Sequence, residues 1–173
     1  LWGWGYAKTI GALRATTQYG YCGFEFCRDR LIDYGVDEDV IVPIDILPED
    51  SDTVNTYTEM KALLSYARAH GWGTIIICAP FFHQIRASAT LISQLNAENP
   101  ELWIFGRHGE PGHPKQHMRH SQGVVGGDLL ELFISEFGRL FCYHHKGDIR
   151  SCKELLAYYD RRDEHFAKKR FQQ

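Results

Sequence analysis

The chain is predicted to fold as an α/β domain with three layers and a mainly parallel sheet, on three observations. Strand-like and helix-like segments alternate along it with short connections. The run "TIIICA" is apolar without alternation, as a strand covered on both faces would be. An amphipathic segment follows at once and leads to a second strand-like run, "ELWIF", which makes a strand–crossover–strand unit.

Taken in order, residues 1–23 are rich in Gly, Thr and aromatics without a period and read as loop. "FEFCRDRLIDY" sets Phe24, Cys27, Leu31 and Tyr34 at helical spacing, with Gly35 as a stop. "DVIVPIDI" is a short strand in which Pro43 argues for an end or an edge position. Thr56 and Glu59 in "TYTE" fit a capping box, and Tyr57, Met60, Leu64 and Ala67 form the apolar stripe of the helix it opens, closed by Gly71. Residues 82–95 carry Phe82, Ile85, Ala89 and Ile92 on one helical stripe. Residues 107–127 read as a long polar loop. "DLLELFISEFGRLFCYHH" is helical with a possible break at Gly138, and a last helix starts near Asp148. No internal repeat or low-complexity tract is visible.

At 173 residues one domain is expected, large enough to bury roughly two-thirds of its unfolded surface. With 44% apolar and 24% charged residues the composition is that of an ordered globular protein. A net charge of −3 gives no reason to expect a nucleic-acid partner, and the basic run Lys168–Arg170 reads as a solvated tail. The five cysteines, Cys22, Cys27, Cys78, Cys142 and Cys152, contain no C-x-x-C pair, which favours a reducing compartment. Cys78, inside the strand-like run, is expected to be buried and inert. No window reaches the roughly 18 apolar residues needed to cross a bilayer, so no membrane contact is expected from the chain as given. It begins at Leu1 without a methionine, and its natural start is expected to lie further upstream.

In a parallel α/β sheet, ligands sit at the carboxyl ends of the strands beside helix N-termini. Pro80–Arg86 lies at such a junction. There His83 suits hydrogen bonding or proton transfer near neutral pH, and Arg86 offers a planar, two-pronged donor to phosphate or carboxylate. The alternative is a half-buried first-turn histidine and a surface arginine. Asn55 and Thr56 can present an amide and a hydroxyl at another helix start, with Glu59 one turn along, or they can simply stabilise that start. Glu25, in the first turn of the first helix, either meets a ligand or only offsets the helix dipole.

Four histidines, His108, His113, His117 and His120, fall in the polar loop. Their spacing matches no closed metal site, and Arg107, Lys115 and Arg119 oppose a cation, so no metal is expected. The phosphate-binding, dinucleotide-binding, serine-nucleophile and zinc-protease motifs are all missing from the sequence.

Three stretches in this order resemble the YdcF/SanA/ElyC-like family of bacterial Rossmann-like domains. "GFEFCRDRLIDYGVDEDVI" is similar to its glutamate-bearing helix and following strand. "SDTVNTYTEM" resembles its Ser/Thr–x–Asn–Thr–x–x–Glu stretch, with Thr58 where many relatives carry an acid. "IIICAPFFHQIRA" resembles its strand followed by Phe-His-x-x-Arg-Ala. The resemblance implies a three-layer Rossmann-like core over residues 20–105, followed by the histidine-rich loop at 106–127 and helices at 128–173. It also implies a sheet whose N-terminal strand is missing or divergent, since relatives carry a whole strand–helix unit before this point. A polar pocket would contain His83 and Arg86 in catalytic roles, with Glu25, Asn55, Thr56 and Glu59 binding the ligand. That ligand is implied to be small and anionic or nucleotide-like, with S-adenosylmethionine as the cofactor the family suggests. The alternative is an enzyme, a transferase or hydrolase of a phosphorylated or glycosylated substrate, with His83 as general acid/base. A link to cell-envelope biogenesis is implied in the same way, and some relatives carry a membrane anchor; the cytoplasmic location expected for this chain follows instead from the cysteine pattern.

Overall fold

A computed structural model describes residues 10–13, 23–50, 55–95, 102–108, 113–115, 117–119 and 126–170. Among these the chain is mixed α/β, and two of its strand pairs are parallel. The elements up to Ala69 fall in one compact unit; His70–His117 and the chain from Gly127 onward fall in another.

The first unit holds β1 (Ile10–Leu13), α1 (Gly23–Asp33), β2 (Ile41–Ile44) and α2 (Thr56–Ala69). β1 lies within the stretch expected to be loop; it pairs in parallel with β2, Ile10 opposite Ile41. Four residues of a Gly-rich segment are too few for a period to be read, which is why pattern missed them. Pro43 sits in β2 opposite Ala12, on a strand with one partner among the described residues, where a missing N–H is tolerated. Phe24 of α1 is buried with Val36 and Ile41, while Tyr34, expected on the same stripe, is exposed.

α2 starts one residue after Asn55, and its cap is not the expected Thr56–Glu59 box. Asn55 Oδ1 accepts the N–H groups of Tyr57 at 2.8 Å and Thr58 at 3.2 Å, and the Asn55 N–H donates to Thr58 Oγ1 at 3.0 Å. The box is therefore Asn55–Thr58. An asparagine is a stronger cap than a threonine, and Thr58 Oγ1 does what a glutamate does in the commoner box. Met60, Leu64 and Ala67 are buried as expected, and Gly71, at φ +63°, ends the helix.

The second unit is built on β3 (Thr74–Ala79), α3 (Phe81–Ser93) and β4 (Trp103–His108), a strand–helix–strand crossover with β3 and β4 parallel. α4 (Leu129–Lys146) and α5 (Cys152–Arg170) pack onto it. Two short strands, β5 (His117–Arg119) and β6 (Gly126–Asp128), fall at the chain crossings between the units, in and just past the stretch expected to be loop.

β3 corrects two expectations. Ile75 and Ile77 are buried, but Ile76 is 64% exposed and Cys78 is exposed as well. The strand alternates because α3 covers one face only. Gly106, opposite Ile77, lies against the Gln84 and Ser88 side chains, where an added Cβ would come within 2.7 Å of Gln84 Nε2. β4 runs three residues beyond "ELWIF", through Gly106 and Arg107 to His108. α5 seals its outer edge. Tyr158 Oη accepts the Ile104 N–H at 2.7 Å and donates to the Leu102 carbonyl at 3.2 Å, and Arg162 donates to the Ile104 carbonyl at 2.9 Å. An otherwise bare strand edge is thereby satisfied.

α4 runs unbroken through Gly138. An Asp128–Glu131 capping box opens it, and Gly147 at φ +85° closes it. α5 starts at Cys152 rather than near Asp148, because Ser151 and Glu154 close a box there: the Glu154 N–H donates to Ser151 Oγ at 3.4 Å and the Ser151 N–H to Glu154 Oε2 at 3.0 Å. Among the described residues no helix is long and apolar enough to cross a membrane.

Candidate functional site

The junction between β3 and α3 is set by Pro80. Its φ of −55° and ψ of 145° suit a helix N-cap, but it brings no side-chain acceptor, and no side chain caps α3. The backbone N–H groups of His83 and Gln84 both donate to the Pro80 carbonyl, at 2.9 and 3.0 Å. Gln84 folds back so that its Oε1 accepts the Ala79 N–H at 3.1 Å, and its Nε2 donates to Ser88 Oγ at 2.9 Å. The polar groups along the inner face of α3 thus satisfy one another within the core.

An open cleft of about 380 Å³ lies here, lined by Cys78, Ala79, Pro80, Arg107 and His108. It occupies the carboxyl ends of β3 and β4, where a ligand is expected in a parallel sheet. The Phe81 ring meets the His108 ring edge-on at 5.2 Å and stacks on Phe133 of α4 at 5.5 Å, tying α3, β4 and α4 together beside the cleft. Cys78 is exposed by its surface, yet the protein around its sulfur pushes the thiol above its ordinary value, against the pull of Arg107. At neutral pH it is a thiol and a weak nucleophile.

Behind the first turn of α3 stands a carboxylate that no sequence motif marks. Glu136 of α4 is 3% exposed and Arg86 is 4% exposed. Arg86 Nε donates to Glu136 Oε2 at 2.6 Å and its Nη2 to Oε1 at 3.2 Å, a two-pronged pair. Arg139 Nη1 reaches Oε1 at 3.1 Å, and His83 Nδ1 lies 3.2 Å from Oε2. The Arg86 guanidinium also lies over the Tyr143 ring, 5.5 Å from its centroid. Because an ionised carboxylate only accepts, the pattern assigns the proton to Nδ1 of His83 and makes Nε2 the ring nitrogen opposite it.

His83 and Arg86 therefore share one carboxylate in the second unit. Arg86 is neither a surface charge nor turned outward; its guanidinium grips Glu136. His83 keeps 20% of its side chain exposed. The other candidates lie in the first unit. Glu25 is exposed on α1, Thr56 is buried, and Glu59 is half-buried on α2. Asn55 is the cap of that helix. Among the described residues no three His, Cys, Asp or Glu side chains are grouped to hold a metal. His108 and His113 are exposed, while His120 and Cys22 lie outside the described residues, as do residues 51–54 of the quoted "SDTV".

Glu136 carried a signal in the sequence. Leu129, Leu132 and Glu136 follow the i, i+3, i+7 spacing of one helical face, so an inward Leu face predicts an inward acid. Arg107 and His108 carried none, because a strand read as ending at Phe105 gave them no sheet end to stand on.

Comparison with family models, with curated proteins and with solved structures gave no match.

Proposed function

We propose that the chain is a YdcF-like domain with a Rossmann-like, three-layer core. Its ligand, a small anionic or nucleotide-like molecule, sits at the carboxyl ends of β3 and β4, and His83 acts on it as general acid/base. The observation that carries the reading is the 3.2 Å contact between His83 Nδ1 and Glu136 Oε2. A carboxylate behind an imidazole fixes its tautomer and orientation and turns the other nitrogen to proton transfer. A mere binder has no need of it. Supporting the ligand class are the α3 start without a side-chain cap, whose dipole favours negative charge, and the cleft lined by Arg107 and His108. The crossover β3–α3–β4 and the parallel pairing support the fold.

In this reading Arg86 and Arg139 are positioning residues: they hold Glu136, and Glu136 holds His83. The substrate is phosphorylated or glycosylated, and the reaction is transfer or hydrolysis. The connection to cell-envelope biogenesis rests on the family resemblance alone, the cytoplasmic location on the cysteine pattern, and ligand contacts from Glu25, Asn55, Thr56 and Glu59 on their helix-start positions together with that resemblance.

A second reading has the domain bind S-adenosylmethionine or a similar molecule without turning it over. It is favoured by the way Arg86 and Arg139 already satisfy Glu136, which makes the cluster stable with no chemistry to perform. Turnover of sugar phosphates, nucleotide sugars and phosphate esters by wild type and His83→Gln separates the two. The acid–base reading expects activity that falls at least a hundredfold in the variant, roughly the scale of general acid–base catalysis. Ligand binding without turnover in the wild type sinks it in favour of the binder.

A further inference from the structure

α4 is apolar on both faces. Its inner face, with Leu129 and Leu132 buried, packs on α3. Its outer face carries Leu130, Ile134, Phe137 and Phe141, which are 55%, 62%, 44% and 74% exposed. Apolar side chains thus extend round α4 well past the face that α3 covers, with Glu131, Ser135 and Arg139 left as its polar strip. A single exposed leucine needs no explanation, but four large side chains in one stripe do.

The stripe has a definite form. Its members are separated by four, three and four residues, the seam spacing of a coiled coil. Such a seam fits another helix with the same seam, and α4 supplies one. Charge fixes the direction. The start of α4 is acidic, with Asp128 and Glu131, and its last turn is basic, with His144, His145 and Lys146. Two copies side by side in parallel would set like charges together, whereas antiparallel copies set each acidic end against a basic one and oppose their dipoles. A two-fold axis midway along the stripe brings Leu130 of one copy opposite Phe141 of the other, and Ile134 opposite Phe137. Gly138 flanks the seam with no heavy atom within 4 Å of the place its Cβ would take, which lets a facing helix approach closely.

We propose that α4 is the seam of a two-fold homodimer, packed antiparallel against α4 of a second copy. Such an interface is self-complementary and closed.

Sedimentation equilibrium of the full chain tests this, together with carbodiimide cross-linking of a mixture of isotope-labelled and unlabelled chains. The expected results are a mass twice that of the chain and cross-links between copies joining Lys146 to Glu131 or Asp128. Along one helix Lys146 and Glu131 are about 22 Å apart, too far for a zero-length link within a copy. The double variant Ile134→Glu/Phe141→Glu is expected to keep its helical circular dichroism and to weaken the dimer by at least about a hundredfold. A wild-type chain that stays monomeric overturns the proposal and leaves the stripe to a different protein or a lipid surface. A dimer that survives the double change, or one cross-linked only between like ends of α4, overturns it as well.

Discussion

The starts of α2 and α3 differ in what caps them. At α2, Asn55 closes the helix with its own amide oxygen and Thr58 answers, so the first-turn donors are spent inside the chain. At α3 the corresponding residue is Pro80, which has no acceptor to offer; the turn opens beside a cleft, with a buried ion cluster behind it. Two helix ends that both read from sequence as candidates for ligand contact thus differ in how they are capped. A closed end stabilises the fold. An uncapped one, backed by a histidine on a carboxylate, is where the proposed ligand would sit.

The largest effect that would sharpen this contrast comes from Glu136→Ala. Arg86 would be left charged and buried, and loss of one partner of such a pair costs about 3–5 kcal/mol. Chemical denaturation should show a loss of that order, and a loss below about 1 kcal/mol would mean that the cluster is not the rigid backing described. An intermediate effect belongs to a control that touches neither helix start. Tyr158→Phe strands the Ile104 N–H and the Leu102 carbonyl, at a cost of about 1–3 kcal/mol.

The same control carries a pH signature. Burial pushes the Tyr158 and Tyr159 phenols above their ordinary value of 10.0. The folded state therefore holds these protons more tightly than the unfolded chain does. Their stabilising contribution is complete below pH 10.0 and is lost as pH climbs through the raised folded values. Denaturation midpoints should fall in that alkaline range, and less steeply in Tyr158→Phe; an unchanged slope would argue against the buried phenol. The smallest effect is at α2, where Asn55→Ala removes the cap for about 1 kcal/mol, while Asn55→Asp retains most of it.

How far the sequence could be read depended on how many residues voted for each feature. α2, α3, β3 and β4 were legible because apolar spacing over 6–14 residues in each leaves little choice of period. β1 had four residues and no period. The outward face of β3 was misjudged because an apolar run looks the same whether one layer or two cover it; Ile76 and Cys78 show that α3 covers one face. The cap falls one residue earlier than the Thr56–Glu59 pattern indicates, because Asn55 is the stronger cap and Thr58 can answer it in place of a glutamate. In the site, His83 and Arg86 were legible as a pair at a strand end, but their partner lies 50 residues beyond Arg86. No local pattern reaches that far, so Arg86 looked available to a ligand when its guanidinium was already held.

The measurement that bears most directly on the contrast is the ligand-induced thermal shift of wild type, His83→Gln and Asn55→Asp. The panel is nucleotides, S-adenosylmethionine and sugar phosphates. A ligand at 100 times its dissociation constant adds about 2.7 kcal/mol. The account predicts a compound that raises the melting temperature of wild type and Asn55→Asp alike and loses its effect in His83→Gln. A shift that survives in His83→Gln, or that disappears only in Asn55→Asp, would contradict it.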